Sequence, residues 1–375
     1  MFLSCCAILW IYWDRLKKPA KKKIFISADC WLCVFDLLAP SQLGLAIALI
    51  SHRFDFYVDE HFKTRKWTLK SFEIQSKIKW CCAKQMEIVN FEDQKPLPIP
   101  QKTLPKKVVG FKTISINFID RKAIAFLHRF CPLFAACPIN LTIHTSSDHI
   151  LEFILHNIWP MFGKNMLGLE LTVGFFHRLR KFVPSILNDC PSLCALRIVK
   201  FCAHDNFFTE FPCDDSAAAS DGQALAKWLF TPLQNDVPKV LSCSWDMDDG
   251  NLAAKIAAFK AAFASASSPV NFIAVVRFRS SFADPIVQFE QTNQFTQEQL
   301  ALKKINDSNH FLLIRCPIAR DADKWAKLEK KASAWYMRHQ WNQIYIRMDD
   351  EDQIGDGLLN ATPGPSDQPA AEVNE

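Results

Sequence analysis

Ile139-Asn140-Leu141-Thr142-Ile143-His144 reads as a β-strand. The following stretch, 148–162, carries Ile150, Phe153, Ile154, Ile158 and Met161 at helical spacing, and residues 168–173 read as another strand. A strand, a helix and a strand in such close succession form a unit that joins two parallel strands across a helix. The same alternation extends outward in both directions. Further candidate strands lie at 111–118, 195–199, 240–245, 271–278, 286–291, 311–316 and 343–348, and several alternate apolar and polar residues, as in Leu241-Ser242-Cys243-Ser244-Trp245. Further helices are predicted at 221–230, with Ser220 as N-cap, at the alanine-rich 252–264, and at 321–338, which starts with acids and ends on Arg338 and His339.

Strand–helix alternation predicts an α/β fold with helices packed on a parallel sheet. The unit lengths are irregular, roughly 25 to 45 residues, within the range of solenoid repeats. The expected architecture for residues 108–348 is therefore a curved β/α sheet resembling degenerate leucine-rich repeats, although a regular Leu-x-x-Leu-x-Leu signature is missing. An open or closed α/β sheet is the competing arrangement.

Composition bounds the class. Hydrophobic residues make up 49% of the 375 and charged residues 22%, enough for a sizeable core. The 31 Phe and 11 Trp against 4 Tyr predict a core rich in apolar rings. A net charge of +5 is too small to imply nucleic acid. The 14 cysteines include adjacent pairs, Cys5-Cys6 and Cys81-Cys82, and show no repeating spacing, so a reducing compartment, cytoplasmic or nuclear, is expected. Met1 to Trp13 is nearly all apolar but shorter than the ~20 residues a membrane helix needs. A basic run, Lys17-Lys18-Pro19-Ala20-Lys21-Lys22-Lys23, follows it. Residues 1–23 are read as a mobile leader, and a membrane partner is not expected. Residues 67–75 could extend as a strand, and Pro96, Pro98, Pro100 and Pro105 mark a linker, so 67–107 is a connector. Beyond Arg347 there is no Lys or Arg, and 349–375 is expected to be a disordered acidic tail.

Residues 24–66 form a helical segment. Ser27 can cap a helix whose first turn holds Asp29 and whose apolar positions are Trp31, Val34, Phe35 and Leu38. Ala39-Pro40-Ser41-Gln42 breaks it. A second helix is predicted from Leu43, with Leu43, Ile47, Ile50 and Phe54 at steps of four, three and four. A unit of this size is near the limit for independent folding, so part of its apolar stripe must pack on something else, either the larger domain or another protein.

This segment resembles an F-box. Ile26 stands at the Leu of the opening Leu-Pro, Ser27 replaces the Pro, and Asp29 takes the acid. Cys30-Trp31 takes the apolar pair, Val34-Phe35 the Ile-Phe, and Leu38, Pro40-Ser41-Gln42-Leu43 and Ile50-Ser51-His52-Arg53-Phe54 complete the pattern. The wider chain, over most of 24–357, resembles an F-box family expanded in plant-parasitic nematodes. Shared-looking pieces include Gln42-Leu43-Gly44-Leu45, Val58-Asp59-Glu60-His61-Phe62, Lys227-Trp228-Leu229-Phe230-Thr231-Pro232 and Trp341-Asn342-Gln343-Ile344-Tyr345-Ile346. The resemblance implies a non-catalytic adaptor of a cullin-based ubiquitin ligase. Ile26, Trp31, Val34, Phe35, Leu38, Leu43 and Ile50 would dock a Skp-type adaptor on the cullin scaffold, and the larger domain would hold an unknown protein substrate. The alternative is an F-box-like scaffold or effector that recruits no ligase.

Enzyme signatures are weak. Cys30 and Cys33 form a C-x-x-C inside the predicted helix and are expected to pack in the core, with no second pair to complete a zinc site. Asp246-Met247-Asp248-Asp249-Gly250 fails the spacing of a calcium loop. No nucleophile elbow, Walker loop or glycine-rich cradle accompanies the histidines, and no cofactor or metal is expected.

Overall fold

The computed structural model describes residues 26–38, 43–78, 84–97, 104, 107–199, 209–233, 237–246, 252–279, 287–305, 310–335 and 342–360. The expected leader, the Pro40 break, most of the proline-rich stretch, the acidic turn after Asp246 and the tail beyond 360 lie outside them. The chain divides into two compact units, 1–66 and 67–375.

The first unit is helical. Helix α1 is Ala28–Phe35, and Ser27 caps it by accepting from the Cys30 amide at 3.4 Å. A π-turn, Leu43–Ile47, and a 3-10 turn, Ala48–Ile50, precede helix α2, His52–Thr64. The sequence predicts one continuous helix through this region. Ser51 interrupts it, because its backbone is extended and its hydroxyl accepts from the Phe54 amide to start a new helix. Trp31 meets Phe54 edge-on at 4.8 Å, and Phe35 lies between Phe54 and His61. Arg53 donates to the Ile26 carbonyl, tying α2 to the chain entering α1.

The second unit holds fifteen strands among the described residues. They are β1 Trp67–Leu69, β2 Phe72–Ile78, β3 Lys84–Asn90, β4 Pro96–Leu97, β5 Val108–Phe111, β6 Thr113–Ile116, β7 Ile139–His144, β8 Met166–Thr172, β9 Ala195–Val199, β10 Lys239–Asp246, β11 Phe272–Arg279, β12 Phe289–Asn293, β13 Glu298–Ile305, β14 His310–Pro317 and β15 Gln343–Arg347. β1 pairs with β5, and the other thirteen form one mixed sheet in the order β12-β13-β14-β11-β10-β9-β8-β7-β15-β6-β2-β3-β4. Pairing is parallel from β2 through β6, β15, β7, β8, β9 and β10 to β11. It is antiparallel at both ends. From β7 to β11 the strand order follows chain order.

Among the described residues six α-helices belong to this unit: α3 Arg121–Ala136, α4 Asp148–Asn157, α5 Val173–Phe182, α6 Asp221–Phe230, α7 Leu252–Ala264 and α8 Ala322–Trp335. Apolar residues of α3 to α7 share one core with Ile114, Leu141, Leu169, Leu196, Leu241 and Phe272 of the sheet. Phenylalanine fills much of it. Phe72, Phe126, Phe130 and Phe134 stack through one region, and Phe211, Phe230, Phe259 and Phe272 through another. α8 packs elsewhere. Its Trp325 and Ala332 cluster with Ile273, Val275, Leu312 and Ile314. Successive strand residues point to opposite faces, so α8 covers the reverse side of β11 and β14.

Several expectations are corrected. α3 has no counterpart in the sequence reading; it carries Pro132 inside it, yet Phe126, Phe130, Leu133 and Phe134 bury one face. β13 and the antiparallel hairpins replace a further parallel unit after β11. β15 inserts between β6 and β7, which departs from a simple repeat array. Part of the stretch expected as a connector, 67–107, is sheet: β2 and β3 carry Ile74, Met86 and Ile88 into the core, and Pro96 occupies the edge strand β4, where its missing donor is harmless. The start of the expected acidic tail is ordered into the fold. Ile354 is buried and bridges Ile119, and Gln353 donates to the Asn117 carbonyl at 3.0 Å.

The buried ionisable groups of this unit include Arg315, Glu298 and Lys239. Arg315 is fully buried and donates to Glu298 through Nη2 at 2.7 Å and Nε at 3.1 Å. Its guanidinium lies 5.2 Å from the rings of Phe230 and Phe263. The other Glu298 oxygen accepts from the Val270 amide at 2.7 Å. Lys239 donates to the Trp228 carbonyl at the end of α6. Burial pulls its pKa down to about 7, although the carbonyl and the Trp228 ring 4.9 Å away both favour the ammonium.

Candidate functional site

The helical unit sorts the seven sequence-nominated docking residues into three groups. Phe35 and Leu43 are buried, Trp31 and Leu38 are half-buried, and Ile26, Val34 and Ile50 are exposed. Helix geometry accounts for the division within α1. Trp31 and Phe35 lie one turn apart and turn toward Phe54. Val34 falls on the outer face.

Exposed apolar side chains in this unit extend beyond the nominated residues. Leu37 is 86% exposed, Leu49 79% and Phe56 60%, alongside Ile50 at 61%. A signal for Leu37 is present in the sequence: Cys30, Cys33, Val34 and Leu37 repeat at steps of three, one and three, which is one helical stripe. Cys30 and Cys33 are both exposed, not packed in the core as expected. The larger rings of Trp31 and Phe35 occupy the packed side and leave the thiols outside. His61, buried behind Phe35, is held below its ordinary pKa by burial, while Asp36 at 3.9 Å acts in the opposite direction.

The second unit carries a half-buried polar row on the sheet side opposite the main core, with Ser115 buried within it. Cross-strand register places Glu73, Ser115, Tyr345, Thr142, Glu170, Arg197 and Ser242 in one row, strand by strand. Arg197 and Glu170 pair at 2.9 Å. The Tyr345 hydroxyl donates to Gln343 at 3.1 Å, and burial, followed by the Glu170 carboxylate, raises its pKa. Asn117 donates to Glu73 at one end of the row. At the other end the row meets Val275, which α8 covers. These polar residues are the outward positions of the alternation seen in the sequence, but their alignment depends on β15 entering between β6 and β7.

Three exposed histidines lie beside carboxylates. His144 meets Asp349 at 3.1 Å, His149 meets Glu351 at 2.9 Å, and His177 meets Asp221 at 3.0 Å. Among the described residues no group of three or more His, Cys, Asp or Glu is placed to hold a metal ion. No helix among them is long and apolar enough to cross a membrane. Comparison with protein-family models, with curated proteins and with solved structures found no match.

Proposed function

We propose that the chain is a substrate adaptor of a cullin-based ubiquitin ligase, with the helical unit docking a Skp-type adaptor and the sheet unit holding a protein target. The observation that carries this reading is the set of large apolar side chains left exposed on the helical unit. Val34, Leu37, Leu49, Ile50 and Phe56 leave large apolar side chains in water on a unit that also keeps the register of an F-box from Ile26 to Leu43. Several large apolar side chains left in water on so small a unit are what a protein interface would cover. Trp31, Phe35 and Leu43 then have a supporting role, shaping the helices that present these side chains.

The parallel run β7 to β11, in chain order, supports a leucine-rich-repeat-like reading of the sheet unit. The row from Glu73 to Ser242 is the surface we assign to the target, since it offers both charges, hydroxyls and one aromatic ring. The adaptor does no covalent chemistry in this reading. It raises the local concentration of a target lysine near a charged conjugating enzyme.

A pull-down of the full chain with a purified Skp-type adaptor tests the proposal. Wild type is expected to be retained, and Val34→Asp with Leu37→Asp is expected to lose retention while melting like wild type. Failure of the folded wild-type chain to bind would refute ligase recruitment and favour the scaffold or effector reading, in which Ser27 at the Pro position is the departure that matters.

A further inference from the structure

Cys30 and Cys33 stand three residues apart on α1, so both project from one side of the helix. Both are exposed. Val34 and Leu37 continue the same side and are also exposed. The packing of α1 on α2 uses Trp31 and Phe35 against Phe54 and has no part for either sulfur. Other cysteines are placed differently. Cys137, Cys190, Cys243 and Cys316 are buried. Burial pushes the Cys137 thiol up to about 11 and the Cys190 thiol up to about 12, which keeps them protonated and inert.

The spacing permits chemistry that a single cysteine lacks. Cβ atoms three apart on a helix are about 5–6 Å from each other. A disulfide needs about 3.5–4.5 Å, so the turn must tighten by roughly 1–2 Å. Its position makes that movement easy. Cys30 is the third residue of α1, where backbone amides have no partner within the helix. The contacts that hold this turn are long: the Cys30 amide reaches Ser27 Oγ at 3.4 Å and the Trp31 amide reaches the Ser27 carbonyl at 3.3 Å. The Ser27 hydroxyl in turn donates to Cys30 Sγ at 3.2 Å, orienting the sulfur at the helix start.

We propose that Cys30 and Cys33 form a reactive dithiol, a modification site at which small disulfides are reduced and an internal disulfide closes. With oxidised glutathione, one cysteine thiolate attacks the S–S bond. A mixed disulfide forms and one glutathione leaves as its thiolate. The second cysteine, also as thiolate, attacks the first cysteine's sulfur, so the Cys30–Cys33 bond forms and the second glutathione leaves. The two cysteine thiols lose two electrons and two protons, and one oxidised glutathione gains them to become two reduced molecules. The site lies on the side of α1 assigned to adaptor docking, but its chemistry does not depend on that assignment.

Peptide mapping of the reduced full chain tests this. The chain is incubated with oxidised glutathione, unfolded, alkylated with iodoacetamide and digested with trypsin. Cleavage after Lys23 and Arg53 releases residues 24–53, whose only cysteines are Cys30 and Cys33. The expected product is that peptide two hydrogens lighter than its reduced form and without alkyl groups. In Cys33→Ser the same peptide is expected to keep one glutathione on Cys30. A doubly alkylated wild-type peptide would overturn the proposal, as would one bearing glutathione with no internal bond.

Discussion

Truncating Leu37 separates docking from folding. Its side chain is 86% exposed, so the free chain leaves nearly all of its apolar surface in water. Full burial of a leucine side chain is worth about 1.5–3 kcal/mol. If an adaptor covers it, Leu37→Ala should weaken binding by about 2 kcal/mol, roughly thirtyfold in Kd. The folded unit should hardly notice, with a change within about 0.5 kcal/mol, because nothing is removed from its interior. Phe35 gives the opposite result. It is 1% exposed and ringed by Trp31, Phe54 and His61. Phe35→Ala should cost about 3–5 kcal/mol of stability and lose binding only by unfolding the helices. Titration calorimetry with a purified Skp-type adaptor, run beside thermal melts of each variant, reads both quantities. Leu37→Ala binding within about twofold of wild type would refute the assignment of Leu37 to docking. So would a Leu37→Ala chain whose lost binding tracks a lowered melting temperature.

Two further outcomes follow from the buried charges. Glu298→Ala strands the fully buried Arg315 and the Val270 amide, and should destabilise the sheet unit by about 3–5 kcal/mol in urea titration. Adding Arg315→Met and restoring bulk with Glu298→Leu should recover most of that loss, and a double variant as unstable as Glu298→Ala would contradict the account. Lys239 has a folded pKa of about 7, below the unfolded value near 10.5, so between those pH values the unfolded chain binds the extra proton and wild-type stability rises with pH. Lys239→Met lacks this dependence. It should therefore gain on wild type as pH falls from 10 toward 7, and a stability difference independent of pH would show that Lys239 stays charged in the fold.

Much of the architecture was legible because local patterns and tertiary burial agree. Ile139 to His144 and Ala195 to Val199 are strands at the residues where alternation places them. Ser220 caps α6 with a full capping box, because its hydroxyl and Gln223 satisfy first-turn donors whatever the surroundings. Where a local signal opposes the tertiary demand, the reading fails. Pro132 argues against a helix, but burying Phe126, Phe130 and Phe134 outweighs one lost backbone bond. Ser51 ends one helix and starts another within a run that looks continuously helical. The proposed docking residues show the same division. Helical spacing named Val34 but equally named Phe35, and only the position of α2 separates them.

Residue order alone was enough to establish the strand–helix alternation, the caps and the apolar stripe of α1, since each depends on neighbours a few positions away. Tertiary structure decided that β15 enters between β6 and β7, that Tyr345 thereby joins Thr142, Glu170 and Arg197, and that the Cys30 and Cys33 thiols face outward. Those outcomes depend on which surfaces win burial when distant segments compete for the same core, and that competition is settled only when the whole chain packs.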